Sequence, residues 1–329
     1  MSRSIVFSIA LALIPCLSDA VELTTTSFDG ITLAGTLHQP DEGVARSVVV
    51  FTHGSEPGVR SSEAYLRWAR PLVEAGVAVL IFDKRGCGES TGTYVEAPDL
   101  ELPAADLNAW VNVLAKREDV QSIGVLGWSQ GGWVGPLAAS KNDEIEFIVS
   151  ISGPGVSPFE QNVFDKTLRF AATGASETRV DLFEHTLRSV WSYIITGENR
   201  ETAEQAWAAV IETKWFQDAY QGPPMMDRDR LLTSPRMAHY VPHGSYEPGP
   251  VLRSLRIPML AVFGEADRIV PVQASIAAIN DAFVDNDARV DIQIVRDADH
   301  GLRVGGRLAA GYPASVVSWV LSTLEDARR

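Results

Sequence analysis

The chain has 329 residues, 46% of them hydrophobic and 21% charged, a globular composition that buries a sizeable core and excludes disordered and fibrous classes. Its 28 Lys and Arg against 42 Asp and Glu leave a formal charge of −14, with no Lys/Arg-rich block. Phosphates would repel such a surface, so nucleic acid and anionic membrane are not expected partners; small neutral or cationic molecules are.

In chain order, the first 20 residues read as a signal peptide. Arg3 is a short basic start, IVFSIALALIPCL is apolar, and Ser18-Asp19-Ala20 puts small residues at the −3 and −1 positions of a cleavage site. The apolar run is too short to span a bilayer comfortably, and no later segment is long and uncharged enough. Leu13-Ile14-Pro15-Cys16 loosely suggests a lipid anchor at Cys16, but Pro15 stands where a small residue is expected. The reading is therefore export to the periplasm or medium with cleavage near Ala20. Cys87 then stands alone, and the mature chain carries no internal disulfide.

Next, VELTTTSFDGITLAGTLHQP alternates on both sides of Asp29-Gly30, a strong hairpin signal. Near-continuous apolar, β-branched runs then recur at 47–53, 77–83, 122–128, 147–152, 257–264 and 290–295. Strands of that kind are buried on both faces, as in a parallel sheet covered by helices. Helical patterns at 64–76 and 103–118 lie between them, the first stopped by Gly76. The fold class is α/β, a mostly parallel sheet with an antiparallel N-terminal hairpin.

Between 155 and 250 the alternation breaks. Ser157-Pro158-Phe159-Glu160 combines a capping box with proline at the first helical position, so a helix starts there. Helical patterns follow at 180–195 and 201–220, then the irregular QGPPMMDRDRLLTSP. The sheet pattern resumes at Ile257. The core is thus 21–154 with 251–329, and 155–250 is a helical cap inserted at the sheet's C-terminal edge, where a lid would sit.

GWSQGG (127–132) places Ser129 between a strand and a helix, the setting of a nucleophile elbow. Side chains at Gly127 and Gly131 would collide in so sharp a turn. A serine hydroxyl needs a base and an orienting acid. Asp267 follows the strand IPMLAVFG, and His300 follows VDIQIV. The order serine, acid, histidine, all at C-terminal strand ends, is that of α/β hydrolases. The backbone N–H groups of Gln130 and Ser55 are the expected oxyanion donors. Glu265, Asp297 and Asp299 are rival carboxylates for the acid position.

On these residues the chain resembles the α/β-hydrolase superfamily, in particular bacterial serine aminopeptidase-like and dipeptidyl-peptidase-like esterases. The motifs are HGSEPG (53–58), DKRGCGES (83–90), GWSQGG (127–132), GEADRIVP (264–271) and DADHG (297–301). The resemblance covers nearly all the chain outside the insertion. It implies a serine hydrolase acting on a small ester or amide, with no cofactor. Esterase action leads; aminopeptidase, thioesterase and acyltransferase chemistry use the same parts, and a non-catalytic binding protein of this fold would lack a triad member. Glu56 departs from the usual glycine of the first motif.

Gly54 and His53 are expected to support the oxyanion loop, and Asp83, Lys84 and Arg85 to tie a turn. Glu56 and Trp128 are candidate substrate contacts, Glu56 through a substrate amine. His239 and His243 are spaced like metal ligands, but no acid or cysteine completes the set and Pro242 lies between them, so no metal is expected. Trp191, Trp207, Trp215, Met225 and Met226 are expected mainly in the cap's core, with some lining an apolar pocket.

Overall fold

A computed structural model describes residues 19–40, 47–220, 228–233 and 239–328. Most of the expected signal segment, with Cys16, and the Met225-Met226 pair lie outside the described residues.

The N-terminal hairpin consists of β1 (Asp19–Thr26) and β2 (Thr32–Gln39), paired antiparallel around the left-handed Gly30 (φ 84°). Cleavage at Ala20 would remove the first two residues of β1. The remaining strands of the sheet are β3 (Ser47–Thr52), β4 (Ala78–Phe82), β5 (Ser122–Trp128), β6 (Phe147–Ile151), β7 (Met259–Gly264) and β8 (Val290–Val295). Their order is β1-β2-β4-β3-β5-β6-β7-β8, in an 8-stranded sheet that is parallel from β4 to β8. Each apolar run of the sequence therefore became a strand within a residue or two of its expected ends.

Side chains alternate across this sheet, and helices cover both faces. Val48, Val50, Leu80 and Val125 face one layer, formed by α2 (Glu101–Leu114), α3 (Gly131–Ala139) and α11 (Val272–Phe283). Val49, Phe51, Ile81 and Leu126 face α1 (Glu63–Glu74) and α12 (Tyr312–Ala327). Burial on both faces is why the strands read as continuous apolar runs rather than alternating ones.

The interval between β6 and β7 is helical: α4 (Pro158–Ala171), α5 (Glu177–Thr196), α6 (Arg200–Ala208), α7 (Lys214–Ala219), α8 (Arg228–Thr233), α9 (Tyr240–Gly244) and α10 (Pro248–Ser254). Ser157 caps α4 by accepting from Glu160 N at 3.3 Å. The Glu160 carboxylate does not close the box; it takes Arg188 of α5 instead. Two details differ from expectation. The single helix expected over 201–220 is two, because the chain turns at 209–213 so that Val210 and Phe216 enter one apolar cluster. α10 crosses the expected boundary at 250, since Leu252 and Leu255 pack into the core beneath the sheet.

Candidate active site

Ser129 sits between β5 and α3 with a left-handed backbone, φ 54°, a conformation costing roughly 1–3 kcal/mol at a non-glycine residue. It is held there by Ser129 N–H donating to Ile151 O (2.9 Å) and by Gly132 N–H donating to Ser129 O (2.8 Å). The glycines answer to close approach. A Cβ on Gly127 would lie 2.2 Å from Gly131 O, and one on Gly131 would lie 2.5 Å from Thr52 O.

His300 follows β8 and presents Nε2 to Ser129 Oγ at 3.0 Å and Nδ1 to Asp267 Oδ2 at 2.7 Å. A carboxylate only accepts, so Nδ1 carries a proton, and in the neutral imidazole Nε2 is then the lone pair that faces the serine hydroxyl. Asp267 is buried, and its other oxygen accepts from Ile269 N (2.8 Å) and Val270 N (3.0 Å), so both of its oxygens are anchored. Two of the competing carboxylates are occupied elsewhere, and the third, Asp297, is exposed with Arg296 nearby at 3.8 Å. Glu265 accepts from Asp297 N, and Asp299 accepts from Gly301 N and Arg303 N, closing the histidine loop on itself.

Trp128 stands behind this line. Its ring lies 6.1 Å from that of His300 and 6.3 Å from that of Tyr65. It packs behind the histidine, with the Arg67 guanidinium 5.9 Å from its ring.

On the other side of Ser129, the N–H groups of Gln130 and Ser55 donate to no acceptor among the described residues. Gln130 stands at the start of α3, where backbone donors and the helix dipole favour negative charge. The loop carrying Ser55 is held by side chains from the 83–94 turn. Lys84 Nζ donates to Gly54 O (2.8 Å) and Glu56 O (3.2 Å), and the Tyr94 hydroxyl donates to Ser55 O. Burial pushes the Lys84 ammonium down to about 8.

Glu56 is engaged by the protein itself. Its carboxylate folds back over Gly54 and accepts from the Tyr65 hydroxyl. The buried Tyr65 hydroxyl supplies a strong donor on the loop's inner side, and burial with Glu56 holds its pKa well above the usual tyrosine value. His53 packs edge-on against Phe51, Tyr65 and Phe82, and burial keeps it neutral by pushing its pKa well below the usual value.

The turn at 83–90 is a charged knot. Asp83, buried, accepts from Arg60 N (2.7 Å), Glu89 N (2.8 Å) and the Arg60 guanidinium. Arg85 bridges Asp106 and Asp29. His243 Nδ1 lies 2.9 Å from Pro98 O and its ring rests on Trp133, while His239 lines a different cavity. Among the described residues no group of His, Cys, Asp or Glu has metal-site geometry.

Ser129 opens into a cavity of about 310 Å³, lined from the core by Ser55 and Gln130 and from the cap by Asn162, Asp165, Trp191 and Tyr240. A second cavity of about 480 Å³ adjoins it at Gln130, with Phe82, Val95, Leu102 and Val134 among its walls. Trp207 and Trp215 pack, half-buried, against one of the cap's apolar clusters. The residues that sequence reasoning missed are Tyr94 and the role of Lys84. The two loops they join are some thirty positions apart (30 for Lys84 to Gly54), and no local pattern links them.

A serine at an elbow, bonded to a histidine that is bonded to a buried aspartate, agrees with the family model for serine aminopeptidase S33, which matches residues 43–302. The chain belongs to this α/β-hydrolase family. Within the superfamily it is 25% identical, over 85% of its length and 90% of the relative's, to a 2-hydroxy-6-oxononadienedioate/2-hydroxy-6-oxononatrienedioate hydrolase of Escherichia coli K12. A hydrolase of the same description from Paraburkholderia xenovorans is 23% identical over 74% of this chain and 78% of the relative. In fold it is similar to an esterase of Pyrococcus furiosus, with a TM-score of 0.59 at 21% identity, covering 94% of this chain and 92% of that one. A dienelactone hydrolase from Anabaena variabilis gives a TM-score of 0.54 at 16% identity, covering 92% and 97%. The protein is an α/β-hydrolase enzyme, and no helix among its described residues is long and apolar enough to cross a membrane.

Proposed function

We propose that this hydrolase cleaves carboxylic esters through Ser129, His300 and Asp267. The observation that carries the reading is the continuous line Asp267–His300–Ser129, with hydrogen bonds of 2.7 and 3.0 Å, ending at a cavity where two backbone donors stand unused. His300 accepts the Ser129 proton as the hydroxyl attacks the carbonyl carbon. Asp267 fixes the imidazole and stabilises its charged form. The oxyanion is received by Gln130 N–H and Ser55 N–H, His300 returns the proton to the leaving oxygen, and water repeats the sequence on the acyl-enzyme.

Small esters lead because the cavity at Ser129 is of ordinary small-molecule size and is roofed by cap side chains. A panel of p-nitrophenyl esters against aminoacyl p-nitroanilides tests the assignment: turnover of the esters is expected, and turnover of the anilides alone would move it to a peptidase. Ser129→Ala should lower kcat by roughly a millionfold, the scale for loss of a triad serine. Retention of ester hydrolysis by that variant would refute the nucleophile. Export rests on the pattern of residues 1–20; an extracytoplasmic product beginning at Val21 is its expected signature, and an intact Met1 in the cytoplasm would refute it.

A further inference from the structure

We propose that Lys84 is a positioning residue that aims the Ser55 N–H at the reaction's oxyanion, an inference that rests on the ester-hydrolase reading above. The bond between Gly54 and Ser55 is trans, as no cis peptide occurs among the described residues. In a trans unit the carbonyl oxygen and the next N–H point in opposite directions. Lys84 Nζ holds Gly54 O at 2.8 Å. The Ser55 N–H therefore points away from the lysine, and Ser55 is a wall residue of the cavity that contains Ser129.

The grip is repeated along the loop. The same ammonium holds Glu56 O at 3.2 Å, the Tyr94 hydroxyl holds the intervening Ser55 O, and Lys84 N–H donates to Gly58 O at 2.9 Å. The carbonyls of Gly54, Ser55 and Glu56 are thus all engaged, leaving the Ser55 peptide no freedom to flip. Alternate carbonyls on one ammonium also fix the loop's curvature.

A second consequence is electronic. A cation on the carbonyl oxygen withdraws density through the amide and strengthens the N–H as a donor. Lys84 also sets a positive charge beside the Glu56 carboxylate, which would otherwise oppose a developing oxyanion. The titratable groups around the ammonium are Glu56, Glu96, Cys87, Tyr94, whose ring lies 5.3 Å from Nζ, and the neutral His53.

The test uses full-length Lys84→Met and Lys84→Arg on a p-nitrophenyl ester turned over by wild type. Lys84→Met should lose kcat about 10- to 100-fold with KM nearly unchanged, less than the roughly 100- to 1,000-fold cost of deleting an oxyanion donor outright. Wild-type kcat should fall as pH rises through about 8, where Lys84 loses its proton. In Lys84→Arg that alkaline limb should move upward, because a guanidinium stays charged. A Lys84→Met kcat equal to wild type, or an alkaline limb unmoved in Lys84→Arg, would overturn the proposal. If Lys84→Met does not fold, the Lys84→Arg profile decides alone. The functional reading fails separately: a wild type that neither cleaves esters nor reacts with a fluorophosphonate refutes it whatever Lys84 does.

Discussion

The core and the cap of this molecule are built on different physics. In the core, one sheet is buried on both faces, and the ends of β5, β7 and β8 deliver Ser129, Asp267 and His300 to one point. In the cap, helices enclose small apolar clusters, one around Phe183, Val210 and Phe216 and another around Val190, Tyr193 and Ile194. Several of its charge pairs are i,i+4 contacts on exposed helix faces, such as Arg200–Glu204 and Lys214–Asp218, worth only a few tenths of a kcal/mol each. The proposed chemistry therefore sits on strand ends, and the cap supplies walls to the cavity at Ser129. Changes to the first should abolish turnover; changes to the second should alter stability and substrate range.

After Ser129 itself, the position where the core should answer most strongly is Asp267. Asp267→Asn keeps the volume but loses the acceptor that sets the His300 tautomer, so kcat should fall by about 10⁴. A drop under tenfold would show that another carboxylate can serve. In the cap, Phe216 is fully buried and stacks on Tyr220 at 5.3 Å. Phe216→Ala should cost about 3–5 kcal/mol, expressed as faster amide exchange in α5 to α7. Turnover of the smallest ester should largely survive, and loss of all turnover would mean the cap holds the triad in place. The smallest effect concerns Lys84, whose folded-state pKa of about 8 lies below its ordinary 10.5. Between those values the unfolded chain binds more protons, so this group's contribution to stability rises with pH across that window and is least favourable below it. The unfolding free energy of wild type minus that of Lys84→Met should climb from pH 8 to 10.5. A flat difference would place the lysine in solvent.

The same contrast explains what the sequence made legible. Strand runs, the elbow and the order serine, acid, histidine are local patterns, and each reports a buried strand or a sharp turn. Asp267 was legible as the acid from its place after β7 and the GEADRIVP motif, while its two backbone donors and its bond to His300 are tertiary facts that its rivals Glu265, Asp297 and Asp299 could not be judged by in sequence. Glu56 read as a substrate contact from its place beside the oxyanion loop, yet Tyr65 of α1 turns it back over Gly54. Lys84 read as part of a charged turn, with Asp83 and Arg85. Those two do form the knot with Arg60, Asp106 and Asp29, while Lys84 reaches the other way, to a loop its sequence neighbourhood does not mention. The cap's helix break at 209–213 was hidden for a similar reason: burial of Val210 and Phe216 in one cluster is a tertiary preference that helical periodicity does not carry.

The proposed chemistry turns on Ser129 as the activated nucleophile, which fluorophosphonate labelling followed by peptide mass spectrometry reads out. A single adduct is expected on the peptide containing Ser129, lost in Ser129→Ala and strongly slowed in Asp267→Asn. An unlabelled wild-type protein, or an adduct that persists in Ser129→Ala, would contradict it.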